Sequence, residues 1–173
     1  MNTISRRVVL IGFMGAGKTA VGESLAQRFN CRMIDLDTHI TAHEGRSPGE
    51  IIDAEGEQRF RELETRALID VLGNKAAYVI ALGGGTWTLE RNRALISQHD
   101  CLTVWLDAPF ELCWQRITRE GALRPLARDR ERSHKLYHLR QASYALAMAR
   151  IGVTNQNSIE DVTAKLIKLL RTS

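Results

Sequence analysis

Short apolar runs alternate along this chain with longer stretches whose apolar positions recur every three or four residues. Arg7 to Gly12 is a β-branched run that stops at glycine, and from Lys18 onward Val21, Leu25, Ala26 and Phe29 fall at helical spacing. The pattern predicts strand, loop, helix. Arg32 to Leu36 reads as a second strand. Pro48 to Leu72 reads as one long helix, with Ile51, Ile52, Phe60, Leu63, Ala67, Leu68, Val71 and Leu72 largely at helical spacing, Ser47 and Pro48 suited to its start and Gly73 to its end. Ala77 to Leu82 is a third strand running into Gly83, Gly84 and Gly85, and Leu102 to Leu106 a fourth. Each is short and apolar on both faces, as buried parallel strands are. Pro109 to about Thr118 and Ser133 to Met148 read as helices, and Ile151 to Thr154 as a brief strand. Ser158 to Leu170 closes the chain as a helix capped by Ser158, with Glu160 and Asp161 in its first turn. Between them, residues 119–132 are arginine-rich with few large apolar anchors, which predicts a mobile surface segment. Strands alternating with helices predict an α/β protein with a parallel sheet covered on both faces.

With 173 residues the chain fits one domain, residues 1–173, and its 44% apolar and 25% charged composition excludes a disordered or fibrous protein. No apolar run approaches the roughly 20 residues that cross a bilayer, and Met1 to Arg7 has no signal-peptide core, so a cytoplasmic protein without a membrane partner is expected. Cys31, Cys101 and Cys113 form no CxxC pair and read as reduced thiols. The net charge of +4 is carried by 19 arginines and only 5 lysines, a bias towards planar forks of donors that suit carboxylates and phosphates.

Candidate chemistry begins at Gly12-Phe13-Met14-Gly15-Ala16-Gly17-Lys18-Thr19, which matches GxxxxGK[ST] directly after a strand and at the head of a helix. In such a loop successive backbone N–H groups turn towards phosphate oxygens, and the helix N-terminus adds partial positive charge. Gly12, Met14, Gly15, Ala16, Gly17, Lys18, Thr19 and Ala20 are therefore expected to hold a nucleotide. Lys18 would reach its β and γ phosphates, and the Thr19 hydroxyl would ligate Mg²⁺. A GTPase is disfavoured: Asp53-Ala54-Glu55-Gly56 lies within a helical pattern, and Asn74-Lys75 is not followed by the acid that reads guanine, position 77 being alanine. Asp35 and Asp37 stand at the C-terminal end of the second strand, the edge where open α/β sheets bind ligands. One could help hold Mg²⁺, and the other could orient and deprotonate an acceptor hydroxyl.

These elements together resemble the shikimate kinases. The P-loop, Asp35-Leu36-Asp37, Ser47-Pro48-Gly49-Glu50-Ile51, the segment from Glu55 to Glu64 and Leu82-Gly83-Gly84-Gly85 occur in that family's order and spacing, over essentially the whole chain. The resemblance implies a three-layer α/β/α P-loop kinase fold with a five-stranded parallel sheet, and MgATP-dependent phosphorylation of the shikimate 3-hydroxyl by a monomer. It further implies that Asp37 holds the acceptor hydroxyls, that Asp35 lies near the Mg²⁺ water shell, and that Arg61 and Arg140 grip the shikimate carboxylate. Gly83, Gly84 and Gly85 match the loop whose backbone approaches the substrate. Arg124 matches a lid arginine that reaches the transferring phosphate, and Arg116 an arginine near adenine. The run Arg140-Gln141-Ala142-Ser143-Tyr144 keeps the family's tyrosine but not the Pro-Leu before it, which predicts a helix that continues smoothly, and Trp87 is bulkier than the residue expected there and is expected to pack beneath the pocket.

Two other signals compete. His39 with His43, and His134 with His138, are spaced four apart, but without an HExxH pattern they are expected to be ordinary helix residues. The arginine-rich segment has no interleaved aromatics, so no nucleic-acid partner is expected.

Overall fold

The apolar runs pair into one parallel sheet in a computed structural model of the chain, which describes residues 6–74, 77–119 and 129–171. The strands are β1 (Val8–Ile11), β2 (Arg32–Asp35), β3 (Ala77–Ala81), β4 (Leu102–Asp107) and β5 (Ala149–Gly152), in the order β2-β3-β1-β4-β5. Register follows one scheme across the middle, with Val8 beside both Val79 and Leu102, and Leu10 beside both Ala81 and Val104. All four residues of β1 are buried although alternate side chains point to opposite faces, so both faces of the centre are covered. The edge strands β2 and β5 are less buried, which departs from the expectation that β2 is apolar on both faces.

Among the described residues seven α-helices lie between these strands and an eighth follows β5: α1 (Lys18–Phe29), α2 (Leu36–Glu44), α3 (Pro48–Glu55), α4 (Glu57–Gly73), α5 (Glu90–Gln98), α6 (Phe110–Arg119), α7 (Arg130–Tyr144) and α8 (Ile159–Leu170). The single helix expected from Pro48 to Leu72 is two. Gly56 breaks it with φ +88° and ψ 163°, a conformation open essentially to glycine alone, while its N–H still closes α3 onto the Ile52 carbonyl. At the other end of α3, Ser47 and Glu50 form a reciprocal capping box with Pro48 in the first turn. Ser158 caps α8 as expected, with Asp161 completing the box.

α7 differs from expectation as well: it ends at Tyr144 rather than Met148, although the residues before the tyrosine are not Pro-Leu. Trp87 supplies one restraint there, buried and donating from Nε1 to the Ser143 carbonyl at 2.8 Å. The N–H groups of Ala145, Leu146 and Ala147 close the last turn onto the carbonyls of Gln141, Ser143 and Tyr144. The three thiols are free; burial pushes the Cys113 thiol up to about 11, so it stays protonated and inert. Among the described residues no helix is long and apolar enough to cross a membrane. Of the segment expected to be mobile over 119–132, Arg119 ends α6 and Arg130 to Arg132 begin α7, three residues before the expected helix start at Ser133; residues 120–128, with Arg124, lie outside the described residues.

Candidate active site

The P-loop occupies the turn between β1 and α1 at the centre of the sheet, where the strand order reverses: the connection after β1 runs to β2 on one side, and the connection after β3 runs to β4 on the other. Its shape depends on glycine at two contacts. A Cβ on Gly12 would stand 2.6 Å from the Leu106 carbonyl oxygen, and one on Gly15 the same distance from that of Cys113, and both have positive φ. Lys18, 9% exposed, donates from Nζ to the carbonyls of Gly12 and Phe13 at 2.8 and 2.9 Å. Arg116 reaches back from α6 to donate to the Gly15 carbonyl at 3.1 Å. A cleft of about 680 Å³ opens above this loop, lined by Gly15 through Val21 together with Asp35, Asp37, Thr38, Gly83, Gly84 and Arg116. Met14 and Ala16 are buried, so any contact with a nucleotide runs through their backbones.

At the end of β2, Asp35 caps α2 by accepting from the Thr38 N–H, and its other oxygen accepts from the Thr19 hydroxyl at 2.6 Å. A hydroxyl and a carboxylate are thus held together beside the P-loop, a donor set of hard oxygens that suits Mg²⁺. Asp37 lies one step further along, in the first turn of α2. A Cβ on Gly83 would stand 2.7 Å from Asp37 Oδ1 and 2.7 Å from Glu64 Oε1, so these two carboxylates converge on the first glycine of the triplet.

Arg61 lies beneath the third. A Cβ on Gly85 would fall 2.3 to 2.4 Å from its guanidinium, which pairs with Glu57 at 2.7 Å and Glu64 at 2.5 Å. Burial works against its charge, but the two glutamates outweigh burial and raise its pKa above the ordinary arginine value. Arg140 addresses the second glycine: its Nη1 would be 3.2 Å from a Cβ on Gly84, and it is 5% exposed. Burial pushes its pKa down, the positive charge of Arg61 adds to that, and Tyr144 partly offsets both. Arginine remains charged regardless. Arg140, buried and facing the positive charge of Arg61 across one glycine loop, is a place where an added anion would offset both burial and repulsion.

The hydroxyl of Tyr144 donates to the Gly84 carbonyl at 2.6 Å, and burial pushes its pKa up to about 12. Retention of this tyrosine therefore keeps Arg140 and the triplet in register despite the altered residues before it. Tyr144→Phe is expected to lower the unfolding free energy by about 1 kcal/mol, one buried hydrogen bond, read as a fall of a few degrees in Tm with the far-UV spectrum unchanged.

Every expected site residue in the described regions borders this cleft or the glycine triplet beside it; Arg124 lies outside the described residues. Sequence reasoning missed two groups. Glu64, 0% exposed, holds Arg61 and accepts from the Thr86 hydroxyl at 2.6 Å, and its only signal is the acidic repeat of the segment from Glu55 to Glu64. Val153 and Asn157 line the cleft from the turn between β5 and α8, where nothing but a turn composition marks them, and Ile159 lines it from the start of α8.

The family described as shikimate kinase matches residues 14–171. A shikimate kinase of Geobacter sulfurreducens is 41% identical over 169 residues, covering 96% of this chain and 91% of the relative. One from Ruegeria pomeroyi is 37% identical over 172 residues, covering 98% and 87%. Among solved structures, shikimate kinase from Acinetobacter baumannii in complex with shikimate superposes with a TM-score of 0.88 at 34% identity, covering 96% of this chain and 93% of that one. With its central P-loop, its paired aspartates and two arginines meeting at a glycine triplet, the chain belongs to the shikimate kinase family.

Proposed function

We propose that this chain transfers the γ-phosphoryl group of ATP to the 3-hydroxyl of shikimate, giving shikimate 3-phosphate and ADP. The observation that carries this reading is the approach of Arg61 and Arg140 to Gly85 and Gly84, two residues and one residue from the glycine that faces Asp37. A small polyol acid spans that distance: its carboxylate meets the two guanidinium forks while its hydroxyls meet the aspartate. Fixing both ends orients the acceptor oxygen towards the P-loop, and orientation supplies much of the rate.

Asp37 accepts the proton of the 3-hydroxyl as that oxygen bonds to the γ-phosphorus, and the bond from phosphorus to the β–γ bridging oxygen breaks, leaving ADP. Lys18 and the N–H groups of Gly15 to Thr19 stabilise negative charge on the phosphates, and Arg124, which lies outside the described residues, is assigned the same role on the resemblance to the family. Arg116 flanks the nucleotide at Gly15 and Gly17. Thr19 and Asp35 would hold Mg²⁺, directly or through its waters. The ion, when bound, neutralises charge on the phosphates.

The test is ADP release with MgATP and shikimate, quinate, gluconate or no acceptor. Shikimate-dependent release is expected, with little turnover on gluconate. Because removing Arg61 outright would leave the buried Glu64 carboxylate without its partner, Arg61→Lys is the informative control: it keeps a charge but loses the fork. Its KM for shikimate should rise roughly 10- to 100-fold, the worth of a charge-assisted hydrogen bond, with the ATP KM nearly unchanged. Turnover indifferent to the acceptor would overturn the assignment.

A further inference from the structure

Outside the reaction site, two helices bring three metal-ligating side chains together. His39 and His43 stand one turn apart on α2, their rings 4.5 Å apart between centroids. Asp70, 27 residues beyond His43 on α4, closes the group: its Oδ2 lies 3.0 Å from His39 Nε2, and one ligand atom from each of the three lies within 4.8 Å of the others. The group borders a hollow of about 200 Å³ whose floor includes the buried Ile40 and Leu63, and this hollow shares no lining residue with the active-site cleft.

We propose that His39, His43 and Asp70 form a binding site for a borderline divalent transition-metal ion of the Zn²⁺ class. Two imidazole nitrogens and one carboxylate oxygen suit Zn²⁺, Co²⁺ or Ni²⁺ and not the hard ions Mg²⁺ and Ca²⁺. Ligand atoms on a tetrahedral ion with bonds of about 2.0 to 2.1 Å lie roughly 3.3 Å apart. His39 and Asp70 already meet that separation, and His43, which is exposed, closes the remainder by side-chain rotation. The apolar floor excludes water from one side and strengthens the ion's field. Glu44 and Arg66 also border the hollow and carry opposite charges, so no excess positive charge opposes a cation there. Water completes the coordination. The bound ion cross-links α2, which begins beside Asp37, to the C-terminal half of α4, whose first half carries Arg61.

The test is titration of the whole chain with Zn²⁺, and separately Co²⁺, in excess Mg²⁺ to keep the phosphate site occupied. One ion per chain should bind, raise Tm, and with Co²⁺ give d–d absorbance without a thiolate charge-transfer band. His43→Ala, at an exposed position, should weaken binding about 10- to 100-fold and abolish the Tm increase, and Asp70→Asn should weaken it in the same range. The paired variant His134→Ala, His138→Ala should leave binding intact; those rings also lie one turn apart, on α7, with Nε2 atoms 3.1 Å from each other. Binding that survives His43→Ala, or that is lost in the α7 variant instead, would overturn the assignment. Absence of saturable binding would do the same, leaving an inter-helix hydrogen bond between His39 and Asp70.

Discussion

Lys18→Met should fold, bind shikimate and turn over on the order of 10²-fold or more slowly, because a charge aimed at the transferring phosphates is lost from a preorganised site. Methionine preserves most of the length of a side chain that is 9% exposed, so the change is one of charge more than of packing. Two hydrogen bonds to the Gly12 and Phe13 carbonyls go with it. The loop should nonetheless persist, since Gly12, Gly15 and Gly17 set its turns and Arg116 continues to hold the Gly15 carbonyl. Steady-state kcat together with a thermal melt separates the two effects. A near-normal kcat would remove Lys18 from the phosphate cradle.

Asp37→Asn is expected to cost about 10²- to 10⁴-fold in kcat while ATP affinity stays within a few fold, because acceptor activation is removed and the phosphate site is untouched. The substitution is nearly isosteric, and the helix it begins keeps both its Asp35 cap and the Thr41 hydroxyl's bond to the residue 37 carbonyl. Equilibrium titration with a nucleotide analogue, beside initial rates with shikimate, reads the two quantities independently. If nucleotide affinity fell instead, Asp37 would belong with Thr19 and Asp35 at the ion and not with the acceptor.

The parts of the molecule legible in its sequence are those where a local pattern and a global constraint coincide. β1, β3 and β4 are buried on both faces, so their apolar runs need no alternation to be read, and the P-loop follows β1 at a fixed offset. α5 was invisible because it is mostly polar and buries only Asn92 and Ile96. The break at Gly56 was hidden because the apolar residues on both sides keep helical spacing and only a dihedral angle separates them. Glu64 was missed for a different reason: a buried carboxylate in a charged helix looks like any solvated one until its partners, Arg61 and Thr86, are known. Asp70 is the same case at longer range, since its tie to His39 spans 31 residues. Pairing across helices is a property of packing, and periodicity along one helix carries no record of it.

Three consecutive glycines set the spacing of the proposed acceptor site as a gauge block sets a machinist's gap. Each faces a different arm: Gly83 the two carboxylates, Gly84 the Arg140 fork, Gly85 the Arg61 fork. Adding one methyl group at a time therefore pushes on one arm at a time. At Gly85 the obstacle is the Arg61 guanidinium, and displacing it breaks its pair with the buried Glu64, so the fold suffers along with the proposed carboxylate grip. At Gly83 two oxygens must yield, one belonging to Asp37 and the other to the buried Glu64, so the rate and the fold suffer together. Glu64, which borders Gly83 and holds the guanidinium that faces Gly85, thus couples the two ends of the triplet through one buried carboxylate.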